Sequence, residues 1–548
     1  MNFEAPAPQP DAATDPPPEP SPPPRGRGAA WVRGTIRAAW LALLAGWATL
    51  GAWHVYKPLP AGVHVAGAWQ ELPADEVRPL VDLTTADAFG QPVLQQQIFD
   101  ETLRLIAGAQ RFIVLDQFLF NAHQGALASS GNEVPGAGNP GGERSLAPQR
   151  ALSRELTEAL LAARRARPSL RILFITDPIN DVYGGEPSAQ LAALEAAGVE
   201  VVRTALDRLR DSNPAWSGLW RLTLGWWDGD AGGKGWLPHP LETGPARVTF
   251  SAWARLLNFK ANHRKVLIAD DGGERPGLVG IVGSANPHDA SSGHSNLALE
   301  VRGEALRPLL DSELEIARFS GWRGAALPPV PVTAVPIPAA EAGPGGRAGA
   351  VRVQVLTEGA IRDGILERLA ASGTGERVDI AMFYLSDREI IEALLAAARR
   401  GAEVRLLLDP NKDAFGRTKS GLPNRPVAAE LVSRSDGAIK VRWYRTHGEQ
   451  FHAKLVMVSS GDRSWLTLGS ANLTRRNVGD YNLEANLAVE AVGSIALVQE
   501  LERWFETLWS NRAPAGIEYS ADFGTFADPA QSSYWAYRIM EATGLSTF

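Results

Sequence analysis

The sequence predicts an α/β protein built from two copies of one lobe. Each lobe is a mostly parallel sheet flanked by helices, and the two face each other across a pseudo-two-fold axis. Three repeated segments carry that expectation. An apolar strand occurs at 111–116 and again at 378–383. The first is followed by an amphipathic helix ending in Arg164-Arg165 and a buried strand that stops at Asp177-Pro178. The second is followed by a helix ending in Arg399-Arg400 and a strand that stops at Asp409-Pro410. A closing strand at 295–300 (Ser-Asn-Leu-Ala-Leu-Glu) is echoed at 485–490 (Ala-Asn-Leu-Ala-Val-Glu). Helical periodicity between apolar strands is the pattern of βαβ units, and basic residues in the last helical turn suit the helix dipole.

Taken in order, the chain opens with a Pro-, Ala- and Arg-rich segment that cannot bury enough apolar surface to fold, giving a tail over 1–34. Residues 35–57 follow as a helix segment whose stretch from Ala38 to Tyr56 is a nearly uninterrupted apolar run. About 20 such residues span a bilayer as a helix, so this reads as a signal-anchor. A cleaved signal peptide and a buried core helix are the alternatives, but no small-x-small cleavage site follows closely. Arg25, Arg27, Arg33 and Arg37 precede the run and one Lys57 follows it. The positive-inside rule then leaves the tail in the cytoplasm and the body outside, on a bacterial inner membrane facing the periplasm.

The first lobe is expected over 70–324 and the second over 351–512. A Pro/Ala/Gly-rich linker at 325–350 joins them, and a tail at 513–548 receives no role. Residues 125–142 read as a surface loop. Between Asp177 and His263 the first lobe carries a long insertion with Trp216, Trp220, Trp226, Trp227 and Trp236. Such a stretch either meets a lipid interface or packs a small satellite core.

Composition narrows the chemistry. The net charge of −7 announces no broad basic surface, so nucleic acid is not an expected partner. With no Cys there is neither a disulfide framework nor thiol catalysis. His288, His294 and His447 are scattered and read as loop or cleft residues, so no metal and no cofactor is expected. Nothing in the sequence fixes an oligomeric state.

The chemistry-bearing signal is a pair. His263-Arg264-Lys265 with Asp270 is followed by Gly283-Ser284-Ala285-Asn286; His452-Ala453-Lys454 is followed by Gly469-Ser470-Ala471-Asn472. His and Lys two apart on a strand share a face. Two lysines and two asparagines can hold the charge of a phosphodiester while two histidines exchange nucleophile, acid and base duties. One such motif is an accident of sequence; two in the same order are not.

These motifs resemble the phospholipase D superfamily over roughly residues 75–512, in particular the bacterial branch that includes cardiolipin synthases and membrane-linked relatives. The resemblance implies a phosphohistidine on one His and a general acid in the other, with His263 and His452 in those roles. It implies Lys265 and Lys454 as phosphate ligands, and Ser284, Asn286, Ser470 and Asn472 as supporting substrate-binding positions. Asp270 completes the first catalytic motif, and Glu484, in Asn482-Leu483-Glu484, is a candidate orienter of a His. The second motif departs from the pattern with Ser459 where Asp is expected. The activity implied is phospholipid hydrolysis to phosphatidate, or transfer to an alcohol as in cardiolipin synthesis. A metal-independent endonuclease and a non-catalytic scaffold are the alternatives.

Overall fold

The computed structural model describes Met1 and residues 27–87, 89, 92–123, 150–226, 235–242, 245–273, 276–330, 349–414, 417–512, 517–546 and 548. Most of the Pro-rich tail, the loop at 125–142, most of the linker and Trp227 lie outside the described residues.

In chain order the strands are β1 (Gln70–Pro73), β2 (Val77–Ala86), β3 (Pro92–Gln95), β4 (Phe112–Gln117), β5 (Arg171–Thr176), β6 (Glu200–Arg203), β7 (Leu237–Pro238), β8 (Arg247–Val248), β9 (Lys265–Asp271), β10 (Gly277–Gly283) and β11 (Asn296–Arg302). They continue as β12 (Ala350–Thr357), β13 (Arg377–Met382), β14 (Glu403–Leu408), β15 (Asp413–Ala414), β16 (Arg417–Thr418), β17 (Lys440–Tyr444), β18 (Lys454–Ser460), β19 (Arg463–Gly469), β20 (Ala485–Val492) and β21 (Ser520–Asp522).

Two large sheets result. The first runs β3-β2-β11-β10-β9-β4-β5-β6, the second β1-β12-β20-β19-β18-β13-β14-β17-β21. Remove the edge strands β3, β1 and β21, and the two orders coincide strand for strand. The expected α/β class is therefore found, but the sheets are mixed, not mostly parallel. Only β4-β5-β6 and β13-β14-β17 pair in parallel, where helices make the crossovers. The His-bearing β9 and β18 enter short connections to β10 and β19, and a short connection forces an antiparallel partner. Two boundaries also shift. β1, expected in the first lobe, pairs with β12 in the second sheet, and the C-terminal tail adds β21 beside β17.

Strand periodicity sorts the core. Val266 and Ile268 of β9, with Leu455 and Met457 of β18, enter one central core shared by both sheets and by the helices Arg307–Phe319 and Ala496–Ser510. Their alternates Leu267 and Ala269, and Val456 and Val458, face separate outer cores. Helices Ile98–Gly108, Leu152–Ala166 and Ala189–Ala196 cover the first sheet's outer face; Gly359–Ala371, Arg388–Arg399 and Asn424–Arg434 cover the second's.

The lobes are stitched reciprocally. His263 N donates to Leu483 O at 2.9 Å and Leu483 N to Ala261 O at 3.0 Å; His452 N donates to Ser295 O at 2.8 Å and Ser295 N to Gln450 O at 3.0 Å. Each His thus sits on backbone paired with the approach to the other lobe's closing strand. Arg264, wholly buried, reinforces one of these seams. Its guanidinium meets Glu313 at 3.0 Å and Glu358 at 2.7 Å, and Nε also donates to Glu484 O at 3.2 Å. Glu358 in turn accepts from the backbone N–H of Glu484 at 3.0 Å and of His64 at 2.9 Å. Those bonds hold Glu358 at a φ of 49°, which a non-glycine residue adopts only under such constraint.

An Arg264→Met substitution strands two buried carboxylates. It is expected to cost about 3–5 kcal/mol of stability. A thermal unfolding midpoint equal to that of the parent protein would refute this account of the seam.

Candidate active site

His263 and His452 each stand one turn of pleat ahead of a Lys at the N-terminal end of β9 or β18, where the strands leave the sheet and meet the opposite lobe. Both line one cavity of about 490 Å³, as do Asn286 and Asn472. That volume suits a small molecule or a lipid head group. The side-chain carbonyls of Asn286 and Asn472 are buried there without a hydrogen-bond partner.

The imidazoles are held alike and charged differently. His263 Nδ1 lies 2.9 Å from the Glu484 carboxylate, and His452 Nδ1 lies 3.0 Å from the Asn296 side-chain oxygen. In each case the orienting group comes from the other lobe and leaves Nε2 as the nitrogen available to the cavity. Ser470 donates to Glu484, and Ser284 donates to Asn296 at 3.0 Å. The same hydroxyls accept from Ala485 N at 3.0 Å and Leu297 N at 3.1 Å. Ser284 and Ser470, expected as supporting substrate-binding positions, hydrogen-bond to the groups that hold the two rings, and Glu484, the candidate orienter, stands beside His263. Aromatic rings buttress the other flank. Phe118 lies 4.8 Å from His263 and Phe383 lies 5.0 Å from His452, centroid to centroid.

Lys265 Nζ donates to His263 O at 2.6 Å and Lys454 Nζ to His452 O at 2.8 Å. Each ammonium also approaches the adjacent Phe ring, at 4.9 Å and 5.5 Å. Burial pulls Lys265 down to about 7. Burial, then the neighbouring Lys265, holds Lys454 well below its usual range. Burial also lowers His263 to about 4 despite Glu484, and lowers His452 further, because Lys454 and His294 add like charge. Burial alone would raise Glu484, but His263 and Lys265 more than offset it. This is a pocket short of negative charge, and an anion entering it restores the protons that burial removes.

Asp270 is not in the cavity. It lies five residues along β9 from Lys265, about 17 Å at strand rise, and accepts from the backbone N–H groups of Arg111 at 2.8 Å and Phe112 at 2.9 Å. It anchors the entry to β4. In the second lobe Ser459 donates to Glu502 at 2.8 Å, and Arg377, which opens β13, meets Glu502 at 3.2 Å. The departure from the motif therefore alters a scaffold contact and leaves the second half-site intact.

Several residues escaped the sequence reading. Asn296 was visible only as an echo of Asn486. Phe118 and Phe383 each stand one position past β4 or β13, which aligning the two repeats reveals. The duplicated Asp-Pro also has a role. Asp177 accepts from Asn262 N and Asp409 from Phe451 N, both at 2.7 Å, fixing the residue before each His. His288 and His294 line the same cavity.

At the cavity mouth His123, His239 and Glu242 place ligand-type atoms within 4.8 Å of one another. His239 Nδ1 accepts from Leu241 N at 3.2 Å and Glu242 N at 3.0 Å, so its Nε2 keeps the proton and faces Glu186 at 3.0 Å. That ring is placed as a hydrogen-bond donor and does not offer a lone pair to a metal.

Two measurements test this geometry. Dimethyl phosphate carries one charge from pH 5 to 9, so its binding should follow the lysines. Affinity is expected to rise as pH falls, by up to roughly tenfold per pH unit above pH 7, where Lys265 loses its proton. Calorimetric affinity rising with pH would contradict this. Asp270→Ala removes a buried acceptor of several backbone N–H groups. It is expected to cost about 3 kcal/mol in stability while sparing activity per folded molecule. Loss of activity at unchanged stability would return Asp270 to the reaction.

Residues 365–509 match the family model described as cardiolipin synthase, PLD-like domain. No curated protein sequence matches the chain. Among solved structures, phosphatidylserine synthase of Haemophilus influenzae Rd KW20 is 11% identical with a TM-score of 0.49, the match covering 90% of this chain and 96% of that one. Polyphosphate kinase of Porphyromonas gingivalis is 13% identical with a TM-score of 0.40, covering 81% and 51%. Nuc, a phospholipase D family member of Salmonella typhimurium, is 19% identical with a TM-score of 0.23, covering 31% and 97%. The second lobe is thus similar to that family model, and a His-x-Lys pair stands in each lobe.

Proposed function

We propose that the protein is a membrane-associated phosphodiesterase or phosphatidyltransferase acting on phospholipids through a phosphohistidine. The observation that carries this reading is the convergence of two oppositely sourced imidazoles on one cavity, each with Nδ1 occupied. His263 is the nucleophile. Its Nε2 bonds to phosphorus as the bond from phosphorus to the head-group oxygen breaks, and the ring acquires positive charge that the Glu484 carboxylate stabilises. Asn296 fixes the His452 ring without neutralising it, which suits an acid that must give its proton away to the departing alcohol. The incoming phosphodiester supplies the negative charge that lets His452 hold that proton. Lys265, Lys454 and the amides of Asn286 and Asn472 stabilise the equatorial oxygens.

In the second step His452 takes a proton from water or from an alcohol, whose oxygen displaces His263 from phosphorus. Water yields phosphatidate; a glycerol-bearing lipid yields a new diester. Asp270 supports the site from outside it. The body lies on the periplasmic side of a bacterial inner membrane, because Arg33 and Arg37 occupy the first turns of the N-terminal helix, ahead of its apolar run from Ala38, and Lys57 follows it.

Full-length protein reconstituted in phospholipid vesicles with EDTA is expected to turn over lipid. His263→Ala and His452→Ala should each lower the rate by at least roughly 10²–10⁴. A trapped phosphoryl group is expected on His263. Mapping it to His452 would reverse the roles, and plasmid nicking without lipid turnover would replace the lipid reading by a nuclease.

A further inference from the structure

The insertion between β6 and β9 is tied to the apolar N-terminal helix, and that tie fixes where the insertion sits. The helix runs from Arg27 to Tyr56, and Trp31–Tyr56 is long and apolar enough to cross a membrane. Its outer turns are exposed, as at Trp40 and Leu44, but its last turns dock on the helix Pro214–Leu222 of the insertion. Trp47 Nε1 donates to Ala215 O at 2.8 Å. Gly218 is glycine because a Cβ there would meet the Trp47 ring at 2.9 Å, and a Cβ at Gly51 would meet the Pro214 carbonyl oxygen at 3.2 Å. His54 O accepts from Asp211 N at 2.9 Å, closing the seam.

Length then sets depth. With Arg33 and Arg37 on the cytoplasmic side, the apolar crossing starts at Ala38, and twenty residues, about 30 Å at helical rise, end at Lys57. The docked turns, Trp47 to His54, therefore lie in the body-side half of the bilayer and carry the insertion with them. What the insertion exposes fits that layer. Leu219 is 45% exposed and Trp236 is 73% exposed, whereas Trp216 and Trp220 are packed inward. The same insertion walls the active cavity through Pro240, Leu241, Leu256 and Phe259.

We infer that the described residues 214–226, 235–242 and 245–256 form a second, interfacial membrane contact that seats the mouth of the active cavity on the lipid head-group layer, so that a phospholipid reaches His263 and His452 without leaving the bilayer. Leu219 and Trp236 enter the acyl boundary while the apolar wall receives the upper part of the acyl chains. This rests on the reading of the N-terminal helix as a membrane span.

The chain has no cysteine, so single labels are unambiguous. Full-length Leu219→Cys, Trp236→Cys, Trp40→Cys and Ser494→Cys proteins, each carrying an NBD fluorophore, are reconstituted into phosphatidylglycerol/phosphatidylethanolamine vesicles with spin-labelled lipids. Quenching is expected at 40, 219 and 236 and not at 494, which lies beyond the end of β20 remote from the cavity. Quenching at 40 alone overturns the interfacial contact and keeps the anchor. No quenching at 40 removes the anchor and this inference with it. Leu219→Glu is expected to lower turnover of vesicle phospholipid at least tenfold and to leave turnover of a water-soluble short-chain phospholipid unchanged. Equal loss on both substrates also overturns the proposal.

Discussion

The reciprocal backbone pairing between the lobes is the constraint on which the site depends. The segment preceding each His is bonded to residues entering the other lobe's closing strand. That one exchange brings Glu484 to His263 and Asn296 to His452, because the orienting residue follows directly on the bridging one. Neither half holds a complete ring-and-orienter pair. Separating the lobes would break both pairs at once, so the site is a property of the lobe interface.

Around that seam the protein arranges charge in layers. Asp177 and Asp409 are buried and accept backbone N–H groups just upstream of each His. Arg264 bridges Glu313 and Glu358 deeper in the first seam. The second lobe has Ala453 at the matching position, so only one seam carries the ion cluster. Nearer the cavity the balance reverses, with two lysines and two histidines facing one carboxylate. Burial lowers the proton affinity of both lysines and both histidines, and a bound anion opposes that shift. Ligand charge and protonation are in this way one coupled event.

The lobes also differ at two places. Glu484 against Asn296 gives one imidazole a charged partner and the other a neutral one, the difference on which the proposed division of duties rests. Asp270 against Ser459 changes only how the start of the neighbouring strand is tied down, by direct backbone acceptance in one case and through Glu502 and Arg377 in the other. A motif letter shared by a family is not thereby a reacting group. Its distance along the strand from His and Lys already places it at the far end of the sheet.

The α/β class, the duplication and both His-x-Lys pairs were legible in the sequence, because period-two and period-3.6 patterns and repeated letters are local properties of the chain. Sheet polarity was legible only in part. The βαβ segments announced parallel pairing, while the antiparallel hairpins β9-β10 and β18-β19 were announced only by the short turns Asp271-Gly272-Gly273 and Gly461-Asp462. Tertiary structure alone decided that Asn296 meets His452, that Ser284 and Ser470 hydrogen-bond to Asn296 and Glu484, and that β1 crosses to the second sheet. Each of these depends on groups hundreds of residues apart meeting at an interface. A linear chain specifies the residues that meet there but does not display the meeting.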